Sequence, residues 1–331
     1  MQITTSEQWN NHTAITEFIL LGFGEAHEFQ ILLFLAFVVI YILTIMGNIL
    51  IVILVVSDQH LQTPMYYLLG NFSFLEVCYS STIVPKMLAR FLTGDKSISS
   101  WGCFAQLFIF ACLVSTECCL LSVMSFDRYV AICKPLHYAT IMNGRVVLYL
   151  LVGSLLYSAS MAVLAVSMVS QLSFCGPKEI DHFFCDFSPL LQLSCSDTSH
   201  VKLLNFICGL IDLLPPFILT ITSYVCIITA ILRISSTTGR QKAFATCSSH
   251  LIVVSIFYVT LMIVYILPNT STLRDLKKFF AVPYTVLTPV VNPLIYSLRN
   301  KEVKKSLERA FYRFICFNEI KRLSPLLLTV G

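Results

Sequence analysis

Long apolar runs separated by short polar intervals dominate the chain. A membrane helix needs about 20 mostly apolar residues, because the hydrocarbon core is about 30 Å thick and each residue rises about 1.5 Å. Seven stretches meet that length, approximately Ile31 to Val56, Pro64 to Leu88, Cys103 to Val130, Val146 to Met168, Val201 to Ile234, Lys242 to Leu267 and Phe279 to Leu298. The pattern predicts an all-α membrane protein, a seven-transmembrane helix bundle (31–298) between an extracellular N-terminus (1–30) and a cytoplasmic tail (299–331). In the tail, Asn300 is a cap candidate. Beyond it, Val303, Leu307, Ala310, Phe311 and Phe314 fall on one helical face and Lys304, Lys305, Arg309 and Arg313 on the other. This predicts a short amphipathic C-terminal helix on the inner leaflet, with anionic lipid as a partner. Cys316 beyond it is a palmitoylation candidate, although a lone juxtamembrane cysteine is more often unmodified.

Composition agrees with the pattern. The 331 residues are 56% hydrophobic and 12% charged, with mean hydropathy +0.79. That is about half the charged share of a globular chain, so water cannot be the main solvent of this surface. A pI near 8.4 and net charge of +4 are too mild for nucleic acid, and no stripe interleaves basic with aromatic residues. No internal repeat of fixed period occurs.

Basic residues favour the cytoplasmic side of a membrane. With the N-terminus outside, 14 of the 22 Lys and Arg fall inside, and the residues before the first span hold acids but no Lys or Arg. No cleavable signal is visible there, so the first span is expected to act as the targeting signal to the plasma membrane. Asn11-His12-Thr13 is a glycosylation sequon on the outer side. Asn71-Phe72-Ser73 lies within a span, and Asn269-Thr270-Ser271 sits too near the bilayer. Of thirteen cysteines, Cys103, Cys175, Cys185 and Cys195 are on the oxidising side. Four cysteines allow three pairings. Since Cys103 starts a helix and the others crowd one loop, at least one bridge is expected to tie that loop to the third span.

Three acids remain inside the spans. Glu76 lies twelve residues above Pro64 and Glu117 eleven above Arg128, so both sit about 16 to 18 Å from the inner end. Asn48 and Asn292 reach the same layer. Two buried carboxylates either share protons and hydrogen bonds with Asn48, Asn292 or water, or hold a sodium ion between them; the residues leave both open. Asp212 precedes Leu213-Leu214-Pro215-Pro216 near the outer leaflet, where it either faces a ligand cavity or satisfies backbone groups freed by the prolines. Phe110, Ala111, Val114, Ser115 and Cys118 form one stripe on the third span.

The run Met124-Ser125-Phe126-Asp127-Arg128-Tyr129-Val130-Ala131-Ile132-Cys133 resembles the signature of rhodopsin-like G-protein-coupled receptors in its olfactory-receptor form. Gly47-Asn48, Leu61-Gln62-Thr63-Pro64-Met65-Tyr66-Tyr67 and Ser223-Tyr224 are similar to the same family. So are Lys242-Ala243-Phe244-Ala245-Thr246-Cys247 with His250, and Asn292-Pro293-Leu294-Ile295-Tyr296-Ser297-Leu298-Arg299-Asn300. These motifs follow the family's order from about Gly47 to Asn300. Ser125-Phe126, Ala245 and Val259 depart from the family's usual Ala-Tyr, Ser and Gly.

The resemblance implies disulfides Cys103 to Cys185 and Cys175 to Cys195. It implies a ligand cavity lined by the third-span stripe with Asn205, Cys208 and Gly209, then Tyr258, Leu261, Met262 and Tyr265, then Val282 and Thr285, which Asp212 joins if it faces inward. Such a lining suits a small, uncharged, volatile odorant: it offers no base to hold a carboxylate and a single acid, Asp212, to hold an amine. Ligands of roughly ten to fifteen heavy atoms and weak affinity are expected. The resemblance further implies a switch at Asp127, Arg128, Tyr129, Tyr224, His250, Asn292, Pro293 and Tyr296, and a heterotrimeric G protein of the cyclase-stimulating type as partner. Olfactory cilia follow from the resemblance alone.

An enzyme is not expected: no zinc-ligating His-Glu-x-x-His occurs, and the intramembrane acids do not match a paired-aspartate protease. The seventh span contains no Lys for a retinal, and seven spans do not divide into the related halves of a transporter. The alternative reading is a rhodopsin-like receptor for an endogenous amine or lipid.

Overall fold

The computed structural model describes residues 16–23, 27–175, 178–234, 236–267 and 271–312. Within its helices, the side chains of 27–29, 242, 243, 245, 246, 249, 271, 272, 274, 275 and 296–299 are not described. Asn11, Phe314, Arg313 and Cys316 therefore lie outside the described residues, as does the Tyr296 side chain.

Seven rods form the bundle. The first five are α1 (His27–Ser57), α2 (Pro64–Thr93), α3 (Ser100–Cys133), α4 (Gly144–Ser170) and α5 (Ser199–Leu232). The sixth, α6, is Thr237–Leu261 continued by a π-helical turn, Met262–Ile266. The seventh, α7, joins Ser271–Val282, a second π-helical turn at Pro283–Leu287, and Thr288–Arg299. Residues 301–312 form a further helix, α8. On length and composition α1, α3, α4 and α5 are each apolar enough to cross a membrane. The other three rods match the predicted spans but carry charge or are broken into pieces, and the chain is a seven-helix membrane bundle.

Helix α3 is the central rod: 72% of its apolar window is buried, against 17% for α4 and 28% for α1. Side chains such as Leu32, Leu156, Ile218 and Val225 point outward at more than half exposure. That belt is stable only against hydrocarbon, as the composition requires. The buried face of α2, including Leu68, Phe72, Leu75 and Tyr79, packs into the same core as Phe110, Leu121 and Phe257.

The all-helical expectation omitted one feature, a small sheet capping the end where α3 begins. Strand β1 (Glu17–Leu20) lies between β2 (Ser97–Ser99), antiparallel, and β3 (Glu179–Ile180), parallel. Its four residues alternate, with Phe18 and Leu20 buried, so the period is two but the run is too short to stand out in the sequence. Cys103 is bonded to Cys185 and Cys175 to Cys195, with Cα separations of 5.4 and 5.9 Å. Gln106 on α3 supports the first bridge: its Oε1 accepts from the Cys185 N–H at 2.9 Å, and its Nε2 donates to the Thr82 carbonyl at 2.8 Å.

At the opposite end Asn300 caps α8, accepting from the N–H groups of Glu302 (3.0 Å) and Val303 (3.3 Å) and from the Tyr66 hydroxyl (3.0 Å). Leu307 and Phe311 are exposed as a lipid-facing edge requires. Two residues differ from the amphipathic reading. Val303 is buried against the bundle, and Arg309 pairs with Asp58 at 2.6 Å between α1 and α2. A face drawn from the α8 sequence alone cannot anticipate a partner 251 residues away.

Gly22 holds φ +60°, and a Cβ there would lie 1.4 Å from Nη1 of Arg90, whose guanidinium donates to the Leu21 carbonyl. Gly94, at φ +71°, faces open space. Gly94→Ala is expected to lose only the left-handed strain, about 1 to 2 kcal/mol, whereas Gly22→Ala must also expel Arg90. The melting temperature of the purified protein should fall further for Gly22→Ala, and equal losses would contradict this. Asp186, buried in the loop after Cys185, caps the short helix Phe187–Gln192. Burial pushes its carboxyl up to about 6 from 3.8. The folded loop therefore binds this proton more tightly than the unfolded chain, so stability is highest below about pH 4 and declines as pH rises to about 6. Asn caps as well as Asp, so Asp186→Asn should raise the melting temperature at about pH 7.5 and leave it unchanged near pH 4.

Candidate functional site

A cavity of about 130 Å³ opens between α3, α4, α5 and α6 near the disulfide end. It is close to the roughly 150 Å³ of an apolar cavity that takes up benzene. Ligands of ten or more heavy atoms therefore require side chains to move. All five residues of the α3 stripe line it, as do Asn205, Cys208, Gly209, Asp212, Leu261 and Tyr265. Helical spacing brings the stripe to one side, and Gly209, with no Cβ, leaves room on α5.

Tyr258, Met262, Val282 and Thr285 do not line this cavity. Tyr258 is fully buried and donates to the Cys118 carbonyl at 3.0 Å, closing the wall from behind. Met262 opens the π turn of α6, while Val282 and Thr285 flank and occupy that of α7. An extra residue per turn rotates the side chains on either side of it, so a regular helical register does not carry across. The turns instead bring the Tyr265 and Tyr284 hydroxyls to 3.2 Å, and Tyr265 also donates to Asp186 at 3.4 Å.

Asp186, Phe187, Met161 and Ala162 line the cavity without having been foreseen. The signal for Asp186 was its position immediately after Cys185, since a bridge from Cys185 to the start of α3 must carry its neighbour over the bundle. Beside it His182 is buried between Phe183 and Phe184 at 4.7 and 4.5 Å, and burial with the Lys278 charge pushes it down to about 3, so it stays neutral. Asp212 accepts from the Ser115 hydroxyl at 2.6 Å, so it faces α3 and the cavity.

The second cluster lies in the middle of the bundle. Glu76, Glu117, Asn48 and Asn292 are all buried to within 1%. Asn292 donates to Glu76, while Asn48 donates to the carbonyls of Thr44 (3.0 Å) and Pro289 (2.9 Å). Pro293 has no N–H to offer the Pro289 carbonyl four residues back, and Asn48 supplies the missing donor. Gly47 permits the approach, since a Cβ there would meet Pro293 at 3.2 Å. Five oxygens of this layer, Glu76 Oε2, both of Glu117, Asn48 Oδ1 and Asn292 Oδ1, have no donor among the described residues. Surplus acceptors of this kind fit a hard monovalent cation and equally fit protons or water.

The third cluster closes the far end of α3. Asp127 is fully buried and accepts from Arg128 at 2.7 and 3.1 Å and from the Tyr138 hydroxyl at 2.8 Å. Burial first, then the Asp127 charge, pushes the Tyr138 phenol up. Tyr224 on α5 bonds His250 on α6, and both are buried. Tyr129 packs against the same patch, with Tyr224, Ile227 and Cys247.

A family model described as olfactory receptor matches residues 37–313, from within α1 to the end of α8. Olfactory receptor 10A7 of Homo sapiens is 48% identical over 299 residues, covering 90% of this chain and 95% of the relative. Olfactory receptor 6E1 of Mus musculus is 47% identical over 310 residues, covering 93% and 99%. Olfactory receptor 6B1 of Homo sapiens is 45% identical over 302 residues, covering 91% and 96%. The match takes in every residue of the cavity, the polar layer and the Asp127 to Arg128 pair. The chain belongs to the olfactory receptor family, and so is a multi-pass G-protein-coupled receptor of olfaction and not an enzyme.

Proposed function

We propose that this chain binds small, mostly apolar volatile molecules in the cavity and, when occupied, activates a heterotrimeric G protein of the cyclase-stimulating type at the Arg128 end. The observation that carries the reading is that one buried helix, α3, bears both sites. Ser115 at the cavity and Arg128 are thirteen residues apart, about 20 Å. The cavity also touches α5 and α6, whose other ends are joined by the bond from Tyr224 to His250. A ligand that binds one arrangement of these helices better than another shifts their population. Arg128, one-fifth exposed, then faces a cleft opened by displacement of α6.

In this reading the disulfide end is extracellular and the Arg128 end cytoplasmic. The support is the excess of Lys and Arg on the Arg128 side and the four bonded cysteines on the other. Residence in the plasma membrane of olfactory cilia belongs to the same proposal. A sodium ion held by Glu76 and Glu117 is its second part, supported by the surplus of buried acceptors; bound there, the ion takes the place of the protons or water those oxygens otherwise need.

Cells carrying the chain should raise cyclic AMP in response to members of a volatile-odorant panel. Arg128→Ala should abolish the response at unchanged surface level, and Arg128→Lys, which keeps charge without the planar fork, should restore part of it. A full response in Arg128→Ala refutes the switch. Sodium should lower agonist potency in the parent and not in Glu117→Gln; potency indifferent to sodium in both refutes the ion.

A further inference from the structure

We infer that the cavity selects ligands carrying a protonated amine, with Asp212 as the group that pairs with it. The inference rests on the odorant-receptor reading and narrows its ligand class. Two of the lining residues are acids, Asp186 and Asp212, and none is Lys, Arg or His. The acids are not neighbours. Asp186 follows Cys185, which the disulfide fixes to Cys103 in the first turn of α3. Asp212 is bonded to Ser115, twelve residues and about 18 Å further along the same helix. The space thus has a carboxylate at each end, with apolar side chains such as Phe110, Val114 and Leu213 between them.

The partners of Asp212 are neutral hydroxyls, Ser115 and Tyr157. It takes part in none of the ion pairs formed among the described residues. A carboxylate facing a weakly polar space with only neutral donors gains most from a cation, because attraction between unit charges strengthens as the surroundings become less polar. Asp186 is the lesser contact: its Oδ1 already accepts from the Phe187 N–H at 2.8 Å and from Tyr265. Its charge at the rim has the sign that draws a cation inward. An anionic ligand meets like charge at both ends, a hydrocarbon leaves Asp212 without a counter-charge, and an alcohol offers one neutral donor where two are present. The volume selects amines on a six-membered ring or a short chain.

The test uses the full chain in cells with a cyclic-AMP readout and one skeleton in three forms: cyclohexylamine, cyclohexanol and methylcyclohexane. The amine is expected to be at least about tenfold more potent than the alcohol, the scale of one charge-assisted hydrogen bond. Asp212→Asn should lower amine potency at least about tenfold and alcohol potency less than about threefold, and Asp212→Glu should keep the preference for the amine. If Asp212→Asn does not reach the surface, the order of potency in the unaltered chain decides. Responses without amine preference overturn this inference and leave odorant reception standing. Silence of a surface-delivered chain to all three compounds and to a broad odorant panel overturns both.

Discussion

Lipid offers no hydrogen bonds, so polar groups inside the bundle must find partners within the protein or in what it encloses. Helix α3 meets that demand at three levels. At its start the Cys103 bridge and Gln106 hold the loop that carries Asp186. At its end Asp127 takes the guanidinium of Arg128 and the hydroxyl of Tyr138. Between them Ser115 and Glu117 are two residues apart, about 200° around the helix, so they serve opposite sides. Ser115 meets α5 in the cavity, and Glu117 turns to the layer shared with Glu76 on α2. One rod thus keeps the cavity and the polar layer separate while tying both to the same rigid element.

The polar layer owes its form to a proline. Pro293 leaves a carbonyl in α7 without its helical donor, and Asn48 from α1 fills that role, which brings α1 close enough to require Gly47. The neighbouring Asn292 then reaches Glu76. Three helices meet because one backbone bond is missing. The acceptors left over are a further consequence: Asn48 has both N–H groups of its amide committed to carbonyls, so it cannot donate to a carboxylate, and Glu117 must draw on a proton, water or a cation.

The seven rods were legible because the hydrophobic period of a membrane span is long and its composition extreme. The stripe from Phe110 to Cys118 was legible because α3 is regular throughout. What escaped depends on contacts between distant segments or on departures from regular geometry. Arg309 reads as a surface charge until Asp58 is seen beside it. Asp186 reads as a solvent-side acid until the Cys103 bridge places it over the cavity. The two π turns have no signature in hydropathy, yet they set the direction of Tyr265 and Tyr284. Strand β1 is four residues long, and only its partners make it a strand.

If the cavity and the Arg128 end are coupled as proposed, the small cavity constrains the far end of the molecule. A ligand near the size of benzene can contribute only a modest binding free energy, and only the part that differs between two helix arrangements moves the equilibrium. Couplings between sites are typically about 1 to 3 kcal/mol. For the proposed switch to work, the restraints at the Arg128 end must be of the same order. Among the described residues Arg128 bonds the adjacent Asp127, the bond of Tyr224 to His250 has a net worth of about 1 kcal/mol, and that of Tyr138 to the Asp127 carboxylate about 1.5 to 3 kcal/mol. Breaking a buried ion pair between α3 and α6 would have demanded more, about 3 to 5 kcal/mol. In the proposed switch, a latch stronger than the differential binding energy of a small ligand could not be released by it, so the restraints at the Arg128 end and the size of the cavity limit each other.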